Sequence, residues 1–262
     1  MKKLNVLFAT FMVISSFALA DSNTVASANV LGYTKIIDPA SNKMALVAAP
    51  FNCGTGTVSS LGDIFGTNQL RQSFLSSRCD QIFTWDVVQQ SYVRYVQKTN
   101  GFFYFYTNFS GAAVNPVISR GQALWIKAPA TAYAPTERTI LISGNVPNDS
   151  AYTNSITGNS GNPMNFIANP YPVEVEVSSL INTNDGARGH FLSSKTDRIM
   201  LWDSEAQQYV YLSLKTPTNR WYYYTNWSAS SAPVINIRPG QGFWYRTTNA
   251  FTWVENKSYV LE

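Results

Sequence analysis

The feature that most constrains the fold of this chain is an internal duplication. The stretch from Phe74 to Asp86 returns as Phe191 to Asp203, and both copies run from a Ser-Ser-basic loop through an apolar segment into Trp-Asp. A loop, a strand and a turn that are used twice are typical of a repeated β-unit. The 262 residues are therefore expected to contain two units with the same order of elements.

The rest of the chain follows the same repeat. The apolar run that ends at Ala49-Pro50-Phe51 matches the run that ends at Asn169-Pro170-Tyr171, and matched positions stay 117 to 120 residues apart. β-prone runs alternate with turn signals throughout, which predicts an all-β fold of two tandem antiparallel β-sandwich-like repeats. We place the first repeat domain at 21–147 and the second at 148–262, with the boundary near Pro147, where turn formers are densest.

The first twenty residues have the pattern of a secretory signal peptide. Lys2 and Lys3 precede an apolar run from Val6 to Leu19, and the segment ends in small residues at Ala20. This order of regions predicts that residues 1–20 are cleaved and that the mature chain is secreted or at the cell surface, in the periplasm or on the outer face. No later run is apolar enough to span a bilayer, so we expect no transmembrane segment in the mature chain.

Charge argues against nucleic acid as a partner. The formal net charge is +4, and removal of Lys2 and Lys3 with the leader lowers it to +2. The basic residues are scattered rather than clustered, whereas nucleic-acid binders concentrate them on one face.

The two cysteines, Cys53 and Cys79, both lie in the first repeat. Export permits them to pair, and a bridge that closes a loop of this length would stabilise the fold by about 3 kcal/mol through the unfolded state. The matching positions hold Val173 and Thr196, so the fold itself does not require the bridge. We expect a local disulfide rather than a metal or redox site, because two cysteines are too few ligands for a closed metal site.

The aromatic ribbons are the best candidates for a ligand or interface site. Each repeat has one, running from Phe103 to Ser110 and from Trp221 to Ser228. Strand alternation assigns 103, 105, 221 and 223 to a core and leaves the other face to tyrosines, which keep a polar tip at water or at an interface. The candidate site residues are therefore those of that second face and the asparagines that follow it: Tyr104, Tyr106, Asn108, Tyr222, Tyr224 and Asn226.

Candidates for catalysis are few. Asp86 and Asp203 would suit a glycosidase only if the two repeats brought them to one cleft, and the simpler interpretation is that each accepts backbone donors in its own hairpin turn. The single histidine, His190, has no recognisable partners for a triad. The sequence predicts no catalytic residues, no cofactor and no metal ligands, and a secreted hydrolase remains the least favoured alternative.

A family resemblance rests on three short signatures. They are the strand that ends in Pro-aromatic, the apolar run into Trp-Asp before a Tyr-rich strand, and Pro-Gly-Gln-Gly-Phe-Trp at Pro239 to Trp244, which is degenerate at Arg120 to Trp125. Together they resemble the β-repeats of large exported proteins in Bacteroidetes and Verrucomicrobia-type bacteria. The resemblance covers nearly all of the mature chain and implies a surface or secreted protein without an assigned activity.

The leading functional hypothesis is a non-enzymatic surface or extracellular structural or adhesive protein. It would act through protein contacts or self-association, with other copies of itself or surface proteins as partners, along exposed strand edges and the Tyr faces. The alternative is a glycan-binding module whose exposed aromatic faces hold a polysaccharide.

Overall fold

A computed structural model describes residues 30–54, 56, 58–130 and 132–260 of the chain. The predicted signal peptide lies outside the described residues. Within them the chain forms eighteen β-strands and two short α-helices, with further single turns of 3₁₀ helix. We call β1 to β9 the first copy and β10 to β18 the second copy.

The first copy contains nine strands and one α-helix: β1 (Leu31–Asp38), β2 (Met44–Ala48), β3 (Val58–Ser60), α1 (Leu61–Phe65), β4 (Gln81–Asp86), β5 (Ser91–Gln97), β6 (Phe103–Phe105), β7 (Val117–Ser119), β8 (Ala123–Lys127) and β9 (Arg138–Asn145). The first copy also has two 3₁₀ turns. Ser76–Arg78 lies in the loop before β4, and Tyr106–Asn108 follows β6.

The second copy repeats this order: β10 (Ala151–Ile156), β11 (Met164–Ala168), β12 (Val175–Glu176), α2 (Val177–Leu180), β13 (Arg198–Asp203), β14 (Gln208–Lys215), β15 (Arg220–Tyr223), β16 (Asn236–Ile237), β17 (Gly242–Arg246) and β18 (Phe251–Asn256). Its 3₁₀ turns are Thr183–Asp185, Ser193–Lys195 and Tyr224–Asn226.

Both copies have the same sheet topology. The five-stranded sheet of the first copy has the order β2-β8-β4-β5-β6, and that of the second has the order β11-β17-β13-β14-β15. A two-stranded ribbon accompanies each, β1-β9 in the first copy and β10-β18 in the second, and a short pair, β3-β7 or β12-β16, completes the set. The pairings are antiparallel, so the prediction of an all-β fold with two sandwich-like units is confirmed.

Each copy buries its own core between the five-stranded sheet and the ribbon. In the first copy Ile140 and Ile142 of the ribbon pack with Ile82 and Leu124 of the sheet, and α1 closes one end. That helix begins with a capping box between Ser60 and Asp63, which satisfies backbone donors at its first turn. The second core is built in the same way, from Trp253 of the ribbon with Ile199, Leu212 and Phe243 of the sheet.

The outer faces of the two five-stranded sheets pack against each other through a third apolar cluster. Its buried members are Leu46, Ala123, Trp125, Phe166, Met200 and Trp244, with Phe166 and Trp244 stacked at 4.2 Å between ring centroids. Paired contacts relate the two halves: Trp85 Nε1 donates to Met164 O at 2.9 Å, and Trp202 Nε1 donates to Met44 O at 3.0 Å. The Trp of each Trp-Asp motif therefore joins the two copies.

Backbone bonds cross the same interface in matched pairs. Ala48 N donates to Gly240 O, and Ala168 N donates to Gly121 O, both at 2.8 Å. Both glycines have positive φ, 83° at Gly121 and 77° at Gly240, a conformation that side-chain-bearing residues rarely adopt. The glycine of the Gly-Gln signature in each repeat therefore contacts the other copy. Because these contacts are reciprocal, an approximate two-fold axis relates the two copies.

Candidate functional site

The aspartates of the Trp-Asp motifs are used by their own hairpin turns. Asp86 Oδ1 accepts from the backbone N–H groups of Val88 and Gln89, each at 2.9 Å. Asp203 Oδ1 accepts from the two matching N–H groups of its turn, also at 2.9 Å. The turn interpretation is confirmed, and the local turn accounts for the position of both carboxylates without a catalytic role.

Two of the candidate tyrosines are largely buried, so their rings do not form an open face at water, one of the two settings predicted for them. Tyr104 is 8% exposed and Tyr222 is 2% exposed. Strand alternation ends at the 3₁₀ turn that follows each strand, and this turn folds Phe109 or Trp227 back over the ring at 6.0 Å between centroids. A lysine completes each cover: Lys98 Nζ lies 3.9 Å from the Tyr104 centroid, as Lys215 Nζ lies 4.6 Å from Tyr222.

The other two candidate tyrosines are nearer to solvent but also carry a cation. Arg94 lies over the Tyr106 ring and Arg198 over the Tyr224 ring, each with its guanidinium carbon 4.7 Å from the centroid. Cation–π contacts of this kind occupy one face of the ring. Asn108 and Asn226 are exposed beside these rings. The six residues therefore do not form a continuous open aromatic face.

The assignment of 105 and 223 to a core is also wrong. Phe105 is 38% exposed and Tyr223 is 37% exposed, whereas Phe103 and Trp221 are buried as expected. These strands are only three and four residues long, and each buries two consecutive side chains, so the alternation that the sequence suggested does not hold in them.

The predicted disulfide between Cys53 and Cys79 does not form, and both thiols are free. Cys53 Sγ donates to Phe51 O at 3.8 Å, while Cys79 Sγ lies 3.4 Å from Leu75 O, so each is held by its own loop. In the second copy Thr196 Oγ1 donates to Arg188 O at 3.0 Å from the position that matches Cys79. The fold needs a small donor there rather than a cross-link. Burial raises the pKa of each thiol to about 11.

The first copy contains a buried ion-pair network that the sequence analysis missed. Asp38 and Asp80 are fully buried, and Arg71 is 9% exposed between them. Arg71 Nη1 donates to Asp38 Oδ2 at 2.8 Å and to Asp80 Oδ1 at 3.0 Å. Arg138 Nη2 contacts the same two carboxylates at 3.0 and 3.1 Å. Two carboxylates and two guanidinium groups thus compensate one another below the ribbon.

Burial raises the pKa of Asp38 to about 7, and repulsion from Asp80 adds to the rise. The neighbouring charges of Arg71 and Arg138 oppose it. One carboxylate oxygen of Asp38, Oδ1, is buried without a hydrogen-bond partner among the described residues. Burial therefore favours the protonated form of the Asp38 carboxyl.

A cavity of about 530 Å³ opens beside this network, and we call it the arginine pocket. It is lined by Asn68, Leu70, Arg71, Gln72, Ser73, Arg78, Tyr133 and Arg138. A second recess of about 500 Å³ shares Asn68 and Arg138 with it and extends along β9. Three arginines, Arg71, Arg78 and Arg138, line the arginine pocket and make it cationic.

The arginine pocket belongs to the first copy because of its β8–β9 connection. That connection has ten residues, 128–137, whereas the matching β17–β18 connection has four, 247–250. The longer loop supplies Tyr133, over which the Arg78 guanidinium lies at 4.6 Å, and Thr136 O, which accepts from Arg71 Nη2 at 2.6 Å. In the sequence, the only signals were this length difference and the match of Arg71 to Arg188.

Exposed apolar side chains form a second group of candidates. Phe74 is 81% exposed and Leu75 51%, and their counterparts Phe191 and Leu192 are 67% and 41% exposed. We call these pairs the Phe-Leu knobs. The backbone of each knob is hydrogen-bonded. Trp227 Nε1 donates to Phe191 O at 3.1 Å in the second copy, and Arg78 N donates to Leu75 O at 3.0 Å in the first. The knobs therefore lie on loops that are held by hydrogen bonds.

The outer face of the β1–β9 ribbon also exposes several apolar side chains, which lie around Lys35 on the same face. Leu31 is 73% exposed, Tyr33 65%, Leu141 48% and Ile37 45%. The register places Tyr33 opposite Ser143 and Ile37 opposite Thr139, so these side chains share one face. The matching face of β10–β18 has threonine and serine instead, with Val254 as its exposed apolar residue. The apolar ribbon face is a property of the first copy alone.

His190 is half-buried and directly precedes the Phe-Leu knob of the second copy. Its Nδ1 accepts from Leu192 N at 2.9 Å, and its ring stacks on Phe191 at 4.3 Å, so it orients the loop of a Phe-Leu knob. Among the described residues no group of three or more His, Cys, Asp or Glu side chains is placed to hold a metal ion. Within the same ranges, no helix has the length and apolar character needed to cross a membrane.

The geometry offers two features with the character of binding sites, the arginine pocket and the exposed apolar surfaces. No known protein family, curated protein or solved structure matches this chain.

Proposed function

We propose that the protein is an exported, non-enzymatic surface or extracellular structural protein that acts by self-association. The observation that carries this proposal is the pair of Phe-Leu knobs. Both copies keep a Phe and a Leu at the same surface positions, with Phe74 81% and Phe191 67% exposed, although neither is needed to fill its own core. Exposed apolar groups beyond what the fold needs are typical of interaction surfaces.

The partner surface in this proposal is the apolar ribbon face of another copy. That face exposes Leu31, Tyr33 and Leu141, and it lies on a two-stranded ribbon. A knob of one molecule on the ribbon face of the next is a heterologous contact, and such contacts generate rings or filaments rather than a closed dimer. Two knobs related by an approximate two-fold axis would let one molecule join two neighbours.

Light scattering of the mature chain, residues 21–262, over a wide concentration range tests this proposal. We expect growth into oligomers that the double variant Phe74→Ser with Phe191→Ser abolishes, and that Tyr33→Ser weakens. Val88→Ser is the matched control, because Val88 is 82% exposed but lies at a hairpin turn outside both surfaces. A wild-type chain that stays monomeric at high concentration would exclude self-association.

Glycan binding is the second candidate, and the arginine pocket is the observation that favours it. The tyrosine faces first suggested for this role are covered by Lys98, Lys215, Arg94 and Arg198. The pocket instead combines a charged wall with the neutral polar side chains of Asn68, Gln72 and Ser73. Retention on immobilised polysaccharide, compared between wild type and a pocket variant, tests this candidate.

A further inference from the structure

We propose that the arginine pocket of the first copy binds a saccharide that bears a carboxylate, such as a hexuronate unit. This inference rests on the second candidate function, glycan binding at the arginine pocket, and names its ligand class; it uses neither the Phe-Leu knobs nor the ribbon face. The argument depends on the charge left over in the pocket, on the guanidinium groups that face it and on its size.

The pocket keeps a net positive charge after its internal ion pairs are counted. Arg71 and Arg138 are compensated by Asp38 and Asp80. Arg78 is the third arginine, and none of the ion pairs between described residues includes it. One full positive charge therefore remains when both aspartates are ionised.

The guanidinium of Arg78 is positioned for recognition. Its central carbon lies 4.6 Å from the centroid of the Tyr133 ring, a cation–π contact, and its nitrogens donate to no acceptor among the described residues. A planar guanidinium with free edge donors matches a carboxylate with two parallel hydrogen bonds. Arg138 adds a second donor at the same wall, because its Nη1 donates to no described group while its Nε and Nη2 are used.

The size and the remaining lining favour a sugar over a bare anion. A volume of about 530 Å³ is much larger than one carboxylate or phosphate and lies in the range of small-molecule sites. Asn68 and Ser73 line the cavity with an amide and a hydroxyl, which suit the hydroxyl groups of a pyranose. The chemistry that fits is therefore an acidic saccharide unit, with the carboxylate at Arg78.

Calorimetric titration of the mature chain with three probes tests the assignment. The probes are an oligosaccharide that contains glucuronate, a neutral glucose oligosaccharide of the same length, and inorganic phosphate. We expect the acidic oligosaccharide to bind with one site per chain and to bind at least tenfold more tightly than either other probe.

Arg78→Gln should weaken acidic-saccharide binding by about tenfold or more, because it removes the charged donor. Tyr133→Ala should weaken it less, by freeing the guanidinium. Lys195→Gln is the matched control: it removes the basic residue at the same place in the second copy, where the β17–β18 connection is short, and should leave the affinity unchanged.

Both pocket residues are exposed, Tyr133 by 42%, so the variants should fold, and an unchanged melting temperature will show it. Equal binding of the acidic and neutral oligosaccharides would overturn the proposal. Equal affinity for phosphate, or an unchanged affinity in Arg78→Gln, would overturn it as well. The Phe74 and Leu75 knob lies between Ser73 and Arg78 in the chain, so the titrations are made at a concentration at which light scattering shows a monomer, which separates these outcomes from self-association.

Discussion

The two copies share a topology but stabilise a buried carboxylate at the same position with different partners. At the start of the third strand of each sheet a carboxylate is buried, Asp80 in the first copy and Asp197 in the second. Asp80 is paired with Arg71 and Arg138. Asp197 instead accepts from the Tyr245 hydroxyl at 2.6 Å.

The difference follows from one loop. The long β8–β9 connection covers Arg71 and supplies a carbonyl to it, so the guanidinium stays inside and a second aspartate is accommodated. In the second copy the short connection leaves Arg188 exposed, where it donates to Thr248 Oγ1 at 3.0 Å. The sheets of the two copies are therefore the same, and the longer β8–β9 connection alone places Arg71 in the wall of a pocket.

The largest expected effect comes from removing one arginine of the first copy. Arg71→Leu leaves Asp38 and Asp80 buried with a single partner, and breaking a buried ion pair in this way costs about 3–5 kcal/mol. Arg188→Leu, the matched change in the second copy, should alter the free energy of unfolding by less than about 0.5 kcal/mol, because its side chain is exposed. Urea denaturation measures both, and equal effects would contradict the comparison.

The next effect should be the same in both copies, because it concerns what they share. Trp85→Ala and Trp202→Ala each remove a half-buried indole from the junction and one bond to Met164 O or Met44 O. We expect each to lower the free energy of unfolding by about 2–4 kcal/mol, somewhat below the values for fully buried tryptophans. Urea denaturation again gives the measurement.

Trp→Phe at either position keeps most of the packing and should recover more than half of the loss. A large loss at one position with none at the other would show that the junction is not symmetric.

The dependence of stability on pH comes third. Burial raises the pKa of Asp38 in the first copy and of Glu255 in the second to about 7, from model-peptide values near 4, with repulsion from Asp80 and Asp185 adding to the rise. The folded chain then holds protons that the unfolded chain releases, so the free energy of unfolding falls as pH rises from about 4 to about 7.

We expect the contribution of each group to be on the order of 2 kcal/mol, since coupling to its acidic neighbour reduces the full linkage value. Asp38→Asn and Glu255→Gln should each flatten the fall, and the double variant should flatten it further. Denaturation series at several pH values give the slope. A slope that is unchanged in both single variants would rule out these groups as its source.

The sequence predicted what the two copies share better than what distinguishes them. Turn residues and apolar runs are local signals, so the all-β class and the turns at Asp86 and Asp203 were predictable. The exposure of the tyrosine faces was not predictable, because it depends on how a 3₁₀ turn and a lysine of the preceding strand or its turn fold over each ring. The ion-pair network beside the arginine pocket joins Asp38, Arg71 and Arg138, which are far apart in the chain, and only the tertiary structure brings them together.

The smallest expected effect concerns the cysteines, and it also tests the comparison. If the first copy needed a cross-link that the second lacks, a reductant would lower its stability by about 3 kcal/mol, the value for a loop of this length. With two free thiols we expect no change in the melting temperature on adding dithiothreitol. Alkylation of the unfolded, unreduced chain should add two labels by mass spectrometry. Labelling only after reduction would show that Cys53 and Cys79 do pair, and that the first copy relies on a covalent link where the second uses the Thr196 hydroxyl.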